Sequence, residues 1–412
     1  MGIIVQKFGG TSVGSVERIL HVANRVIQER EAGNQVVVVV SAMGKTTDEL
    51  VRLAGEISSN PSKREMDMLL TTGEQVTISL LAMAIKEKGY DVLSYTGWQA
   101  GIQTEAVHSN ARITNIETSK LKKSLEQGNI VVVAGFQGAT VDGEITTLGR
   151  GGSDTTAVAI AAALNADKCD IYTDVTGVFT TDPRYLKTAR KLHSVSYDEM
   201  LELANLGAGV LHPRAVEFAK NYSMPLEVRS SMENEHGTII EEEVSMEKNL
   251  VVRGIAFEDQ VTRVTVCGLP NALHTLSTIF TTLANNGLNV DIIIQSTTDQ
   301  DTTNISFSVK TADLSDTVRV LEENQETLGF AKIETEDGLA KVSIVGSGMI
   351  SNPGVAAEMF KVLADHEIHV KMVSTSEIKV STVVEQELMV KAVEVLHDAF
   401  QLSVVESNQL TV

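Results

Sequence analysis

Cysteine is almost absent: Cys169 and Cys267 are the only two in 412 residues, and they form no CxxC or Cys/His metal spacing. A disulfide framework and a protein-held metal centre are set aside, and each thiol is expected to be a small buried side chain. Positive charge is scarce too. The chain has 34 Lys and Arg against 54 Asp and Glu, a formal net charge of -20, and no basic stretch breaks the acidic balance. Nucleic acid and anionic membranes are poor partners for such a surface, so small molecules are the better expectation. No apolar run reaches the roughly 18 residues needed to span a bilayer, and no signal-peptide pattern precedes the first strand, which suggests a cytoplasmic protein.

Two familiar nucleotide motifs are also incomplete. "MGKTTDE" at 43–49 offers Gly44, Lys45 and Thr46, but the leading glycine of a P-loop is replaced by Val39. "GRGGSD" begins like a dinucleotide fingerprint, yet Asp154 holds the third glycine position.

With 43% hydrophobic and 21% charged residues the chain is globular, and its length suggests roughly two or three domains. Up to about residue 230, strand-like runs alternate with helical patterns: "VVVVVS" at 36–41, "DVLSY" at 91–95, "IVVVAG" at 130–135, "CDIYTD" at 169–174 and "PLEVRS" at 225–230. Continuous Val/Ile runs suit strands buried on both faces, and intervening helices imply a largely parallel sheet in a three-layer α/β domain. Ligands of such sheets bind beyond the carboxyl ends of the strands.

Three stretches lie at such ends. "IIVQKFGGTS" predicts a strand over Ile3–Lys7, a Gly-Gly turn, and a helix with Val16, Ile19, Leu20, Ala23, Val26 and Ile27 on one face. The turn reads equally as a phosphate cradle or as plain punctuation. "TTLGRGGSDTTAVAIAAALNA" runs from a glycine loop into an Ala-rich helix. There Ser153 and Asp154 stand at capping positions, and Arg150 is suited to a carboxylate or phosphate. "LLTTGEQ" places Glu74 at the start of an apolar helix, where it complements either the helix dipole or a ligand. "YTDVTGVFTTDPR" is dense in polar groups for a connection, and His212 in "LHPRA" reads as structural.

The rhythm changes at "MENEHGTIIEEEVSMEKN", Met232–Asn249, which reads as a linker. Beyond it, stretches starting at Val264 and Val342 repeat a strand ending in Gly268 or Gly346, a helix through Phe280 or Phe360, and a second strand. A β-α-β-β-α-β order occurring twice predicts two ferredoxin-like modules of roughly 70 to 80 residues, with matched edges for oligomerisation.

Together, "KFGGTS", "VVSAMGKTTDEL", "LLTTGEQ", "AGFQGAT", "TTLGRGGSDTTA" and "YTDVTGVFTTDPR", followed by the repeats, resemble the aspartate kinases over essentially the whole chain, in their lysine-sensitive bacillary form. The resemblance implies an amino-acid kinase domain over 1–231, a linker over 232–249, and ACT regulatory regions over 250–337 and 338–412. The strand at 250–258 would complete the second region. It further implies phosphorylation of the L-aspartate β-carboxylate by ATP with Mg2+, opening lysine, threonine and methionine synthesis under feedback by lysine, alone or with threonine. Another ACT-regulated amino-acid kinase is the alternative. A homo-oligomer through the ACT modules, or a separately made regulatory subunit, would accompany it.

By resemblance, Lys7 and Asp154 are catalytic, Lys7 reaching the phosphoryl group and Asp154 orienting it. Ser41, Thr47, Glu74, Arg150, Gly151, Gly152 and Ser153 would bind aspartate, Arg150 taking its α-carboxylate and Glu74 its ammonium. Lys7, Phe8, Gly9, Gly10, Thr173, Asp174, Phe179 and Arg184 would face the nucleotide. Where many relatives carry a nucleotide-contacting lysine, Gly209 stands, leaving Arg184 or Arg214 to replace it. The effector would sit around Asn271, Asp291 and Gln295 of one chain and Met349, Ile350, Ser351 and Asn352 of another.

Overall fold

The computed structural model describes residues 2–206, 209–242, 251–297 and 301–403. They fall into two compact units. One holds residues 2–179, Lys191–Asn205 and 209–242; the other holds Thr180–Arg190, Leu206 and the described residues from 251 onward.

Along the first unit run β1 (Ile3–Phe8), α1 (Val16–Glu31), β2 (Gln35–Val40), α2 (Thr46–Ile57), α3 (Lys63–Glu87), β3 (Val92–Tyr95) and β4 (Ile102–Thr104). Then come β5 (Ile113–Ile116), α4 (Ser119–Glu126), β6 (Ile130–Ala134), β7 (Gln137–Ala139), β8 (Ile145–Thr147), α5 (Gly152–Leu164) and β9 (Lys168–Thr173). The unit closes with β10 (Ser194–Ser196), α6 (Tyr197–Asn205), α7 (Pro213–Asn221), β11 (Leu226–Ser230) and β12 (Thr238–Glu241).

Its main sheet has the order β10-β12-β11-β9-β1-β2-β6-β3, and every pair is parallel except β11 with β12. Val36 to Val40 are fully buried, as a strand covered on both faces requires. Alternation along β1 sends Phe8 into the core with Ile19, Val26, Ile78 and Leu81 of α1 and α3, and turns Lys7 the other way, onto Asp154 of α5.

Three expectations are corrected here. Val16 and Leu20 of α1 are exposed, and the buried stripe runs instead through Ile19, Val22, Ala23, Val26 and Ile27. Glu74 lies in the middle of α3, because "KREMDMLL" continues the same helix toward the N-terminus. The supposed linker contains β12, which pairs with β10 and β11. Helix α3 is long and apolar enough, by length and composition, to cross a membrane. However, it carries the buried polar side chains Asp67, Thr71 and Thr77, which find hydrogen-bond partners within the first unit that a lipid chain could not supply.

The second unit contains β13 (Gly254–Pro270), α8 (Thr275–Asn285), β14 (Asp291–Thr297), β15 (Thr302–Lys310), α9 (Leu314–Glu323) and α10 (Gln325–Leu328). It continues with β16 (Lys332–Val345), α11 (Val355–Asp365), β17 (Met372–Thr375), β18 (Lys379–Glu385) and α12 (Met389–Ala399). These strands form one antiparallel sheet, β14-β15-β13-β16-β18-β17. The repeat is visible as two cores on that sheet, one around Ile279, Leu283, Phe307 and Leu321, the other around Met359, Leu363, Val384 and Leu396. They share the sheet because β13 and β16 pass through both: Gly254–Glu258 pairs with Val345–Lys341, and Arg263–Cys267 with Glu336–Lys332. A closing strand for the second repeat at 404–412 lies outside the described residues.

Candidate active site

The carboxyl ends of β1 and β2 and the start of α5 bring most of the sequence-selected polar residues of the first unit together. Lys7 Nζ stands 2.6 Å from Asp154 Oδ1, with about a tenth of each side chain exposed (11% and 12%). The ammonium curls back over the turn, 3.4 Å from where a side chain on Gly9 would begin. Next to Asp154, Ser153 Oγ is 2.8 Å from Ser41 Oγ at the end of β2. The residue after Ser41 continues the chain of contacts, since Ala42 N donates to Glu74 Oε1 at 3.1 Å. Glu74 reaches it because Gly73 lets α3 come close: a Cβ there would lie 2.8 Å from Ala42 Cβ.

Glu74 is electrostatically unusual. It is 3% exposed, and its Oε2 is buried with no hydrogen-bond partner among the described residues. Burial pushes its carboxyl up to about 7, against the pull of the Ala42 N–H and the Gln137 amide. A buried carboxylate with one free oxygen is a ready receptor for a cation.

Ser153 and Asp154 do not cap α5. The N-cap is Gly151, at φ 67°, and the side chains of Ser153 and Asp154 go instead to Ser41 and Lys7. Gly152 opens the helix and Thr47 lies in the first turn of α2. Arg150 is exposed, with no hydrogen bond or ion pair to any described residue. Phe8 contributes backbone only, since its ring is fully buried and stacks on Tyr172 at 4.5 Å between centroids. The Gly9 N–H donates to Tyr172 O at 3.3 Å, so this group is engaged within the protein. Thr173 Oγ1 donates to Asp174 Oδ1 at the end of β9, and Phe179 bridges to Lys191.

The remaining sequence-selected residues have partners of their own. Arg184 belongs to the second unit, where its guanidinium grips the Asp182 carboxylate with Nε at 3.0 Å from both oxygens. Arg214, the other candidate to replace the lysine missing at Gly209, is engaged within the first unit. Its guanidinium donates to Leu148 O at 2.6 Å, Ala111 O at 3.0 Å and Asn110 Oδ1 at 3.1 Å. In the second unit Asp291 Oδ2 is 2.7 Å from the buried Lys341 Nζ, and Gln295 Nε2 is 3.3 Å from Thr303 Oγ1. Asn271 N donates to Asp301 O, and Met349, Ile350 and Ser351 form a 3-10 turn that Asn352 closes onto Gly348 O.

Sequence reasoning missed Asp67. This fully buried carboxylate accepts from Thr147 Oγ1 at 2.7 Å, from Ser109 N at 3.0 Å, and faces His108 Nδ1 at 2.9 Å. Its signal was a single acidic residue inside the apolar "MDMLL". His212 Nδ1 accepts from Arg214 N at 3.3 Å and its ring lies against Gly151.

Comparison with known proteins identifies the family. Residues 2–230 match the amino acid kinase family, and residues 264–325 and 342–400 match the ACT domain. The aspartokinase of Bacillus sp. strain MGA3 is 77% identical over 403 residues, covering 98% of each chain. E. coli aspartokinase III, solved in complex with aspartate and ADP, has a TM-score of 0.81 at 27% identity, over 96% of this chain and 99% of that one. The same protein solved with lysine and aspartate has a TM-score of 0.78 at 26% identity, over 97% and 99%.

Proposed function

The chain belongs to the aspartokinase family, and from that premise we propose that it transfers the γ-phosphoryl group of ATP to the side-chain carboxylate of L-aspartate. A carboxylate oxygen attacks the γ-phosphorus, the bond to the β–γ bridging oxygen breaks, and 4-phospho-L-aspartate and ADP leave. The nucleophile is already an anion at neutral pH, so no base has to take a proton. The protein's task is to hold two anions in line and to compensate charge.

The observation that carries this reading is the run of contacts from Lys7 through Asp154, Ser153 and Ser41 to Glu74. Lys7 neutralises the transferring phosphoryl group while Asp154 holds its ammonium in place. At the other end, the free Oε2 of Glu74 receives the substrate ammonium, and the uncommitted Arg150 takes the α-carboxylate as a two-pronged donor. Ser41, Thr47 and the start of α5 at Gly151, Gly152 and Ser153 line the space between. Backbone at Phe8, Gly9 and Gly10 approaches the phosphates, and Thr173, Asp174 and Phe179 form the nucleotide side.

Mg2+ suits this donor set as a companion of the nucleotide. Among the described residues there is no cluster of three His, Cys, Asp or Glu that would cage an ion, whereas Mg2+ ordinarily rests on phosphates and one or two carboxylates. Bound there, it would screen phosphate charge.

Lysine is the proposed effector, with lysine and threonine together as the second choice. Its site would be built from Asn271, Asp291 and Gln295 of one chain and Met349–Asn352 of a second copy, which makes a homo-oligomer through the ACT modules part of the proposal. The product would enter lysine, threonine and methionine synthesis.

The test is ATP turnover with a panel of amino acids, trapping acyl phosphate with hydroxylamine, with and without lysine or threonine. Hydroxamate that appears only with aspartate and falls when lysine is added supports the reading. Hydroxamate that is absent, or independent of aspartate, rejects it.

A further inference from the structure

Arg150 stands on the short connection between β8 and α5, and nothing in its own side chain fixes it. The residues on either side are Gly149 and Gly151, both at positive φ (77° and 67°), so the local backbone has little intrinsic stiffness. An arginine meant to meet a carboxylate with two parallel hydrogen bonds needs its Cα held to a fraction of an ångström. The rigidity must come from outside the loop.

It comes from the start of α7. The Arg214 guanidinium donates to Leu148 O, two residues before Arg150, at 2.6 Å. With its other donors it holds the neighbouring segment through Asn110 Oδ1 at 3.1 Å and Ala111 O at 3.0 Å. Asn110 in turn backs the loop, for its Oδ1 would lie 2.9 Å from a side chain on Gly149. On the far side of Arg150, the His212 ring fills the space over Gly151 so closely that a Cβ there would come within 2.1 Å of the imidazole Cγ. The two clamps are one object. His212 caps α7 by accepting from Arg214 N at 3.3 Å, and Pro213 between them occupies the first helical position, where its fixed φ suits the helix.

We propose that His212 and Arg214 are positioning residues for Arg150. The helix start "HPR" seats the loop before and after that arginine and thereby sets how well the acceptor's α-carboxylate is gripped. The inference rests on the reading that Arg150 takes that carboxylate. Three hydrogen bonds commit the Arg214 guanidinium to this segment. Lysine could replace it only in part, because a single ammonium cannot reach Leu148 O and Ala111 O together in the fork geometry of a guanidinium.

The experiment is steady-state kinetics of the full chain, varying aspartate and ATP separately, with hydroxamate as readout and thermal unfolding as a fold control. Arg214→Met keeps the stem and removes the fork. The expected result is a rise in the KM for aspartate of about tenfold or more, with the KM for ATP within about twofold of wild type. Arg214→Lys should recover part of the loss. If Arg214→Met does not fold, Asn110→Ala leaves α7 intact and should give the same split at about threefold. Equal rises for both substrates, or an unchanged aspartate KM, overturn the positioning role while leaving the kinase reading in place. A wild-type chain that makes no aspartyl hydroxamate overturns both.

Discussion

Lys7 Nζ lies 2.6 Å from Asp154 Oδ1, and this contact joins the middle strand of the main sheet to the first turn of the Ala-rich helix. Its two members should not contribute equally. On the proposed reading Lys7 meets the charge being transferred, whereas Asp154 acts through Lys7. Lys7→Ala should lower kcat by about 10³-fold, and Asp154→Asn by about 10- to 100-fold, both with Tm changes of a few degrees. Near-normal turnover of Lys7→Ala would reject its phosphoryl role, and a larger loss for Asp154→Asn would reverse the assignment.

The Glu74 carboxyl is raised to about 7, and on the proposed reading the substrate ammonium requires its ionised form. Binding aspartate is therefore linked to loss of a proton. Below pH 7 the KM for aspartate should climb by up to about tenfold per pH unit, and above pH 8 it should level off. Measuring KM for aspartate between pH 6 and 8.5 checks this, and Glu74→Gln should give a high KM without the slope. A flat wild-type profile would remove the carboxylate from the ammonium site.

The same shift has a cost in stability. A carboxyl that is 4.5 when unfolded and about 7 when folded holds its proton more tightly in the native state. The stabilisation is complete below pH 4.5 and is lost as pH rises through 7. Glu74→Gln should consequently be more stable than wild type at pH 8, by at most roughly 3 kcal/mol, and about equal to it at pH 5. Thermal unfolding of the free protein at the two pH values decides it. A site tuned to bind a cation is left strained until the cation arrives.

Most of the catalytic fold was legible because its strands are runs of Val and Ile, a pattern that only a doubly covered parallel sheet explains. Lys7 and Asp154 were picked out by the family resemblance, and the structure brings the two side chains together. What escaped had local causes. Glu74 sits mid-helix because Gly73 serves a helix crossing, not a helix start, and sequence cannot distinguish these uses. Asp67 and Arg214 act across 42 to 103 residues of chain, on Ser109 and Ala111, a separation no periodicity reports. The two regulatory repeats were visible as copies, but not their common sheet, since β13 and β16 are each long enough to serve both.

Asp67 offers the sharpest test of how the acceptor side is held together. It is fully buried, and its donors are the Thr147 hydroxyl at 2.7 Å, the Ser109 N–H at 3.0 Å and His108 Nδ1 at 2.9 Å. It therefore ties α3 to both segments that Arg214 grips from the other side. Asp67→Asn keeps the volume but turns one acceptor into a donor facing donors, and should cost about 2–3 kcal/mol of stability. Thr147→Val removes one donor and should cost about 1 kcal/mol. Because the two share a hydrogen bond, the double variant should be less destabilised than the sum by about 0.5 kcal/mol or more. Denaturant unfolding of the four proteins reads this directly. Strict additivity would mean that Thr147 is held by β8 alone, and that the carboxylate does not organise the strand leading to Arg150.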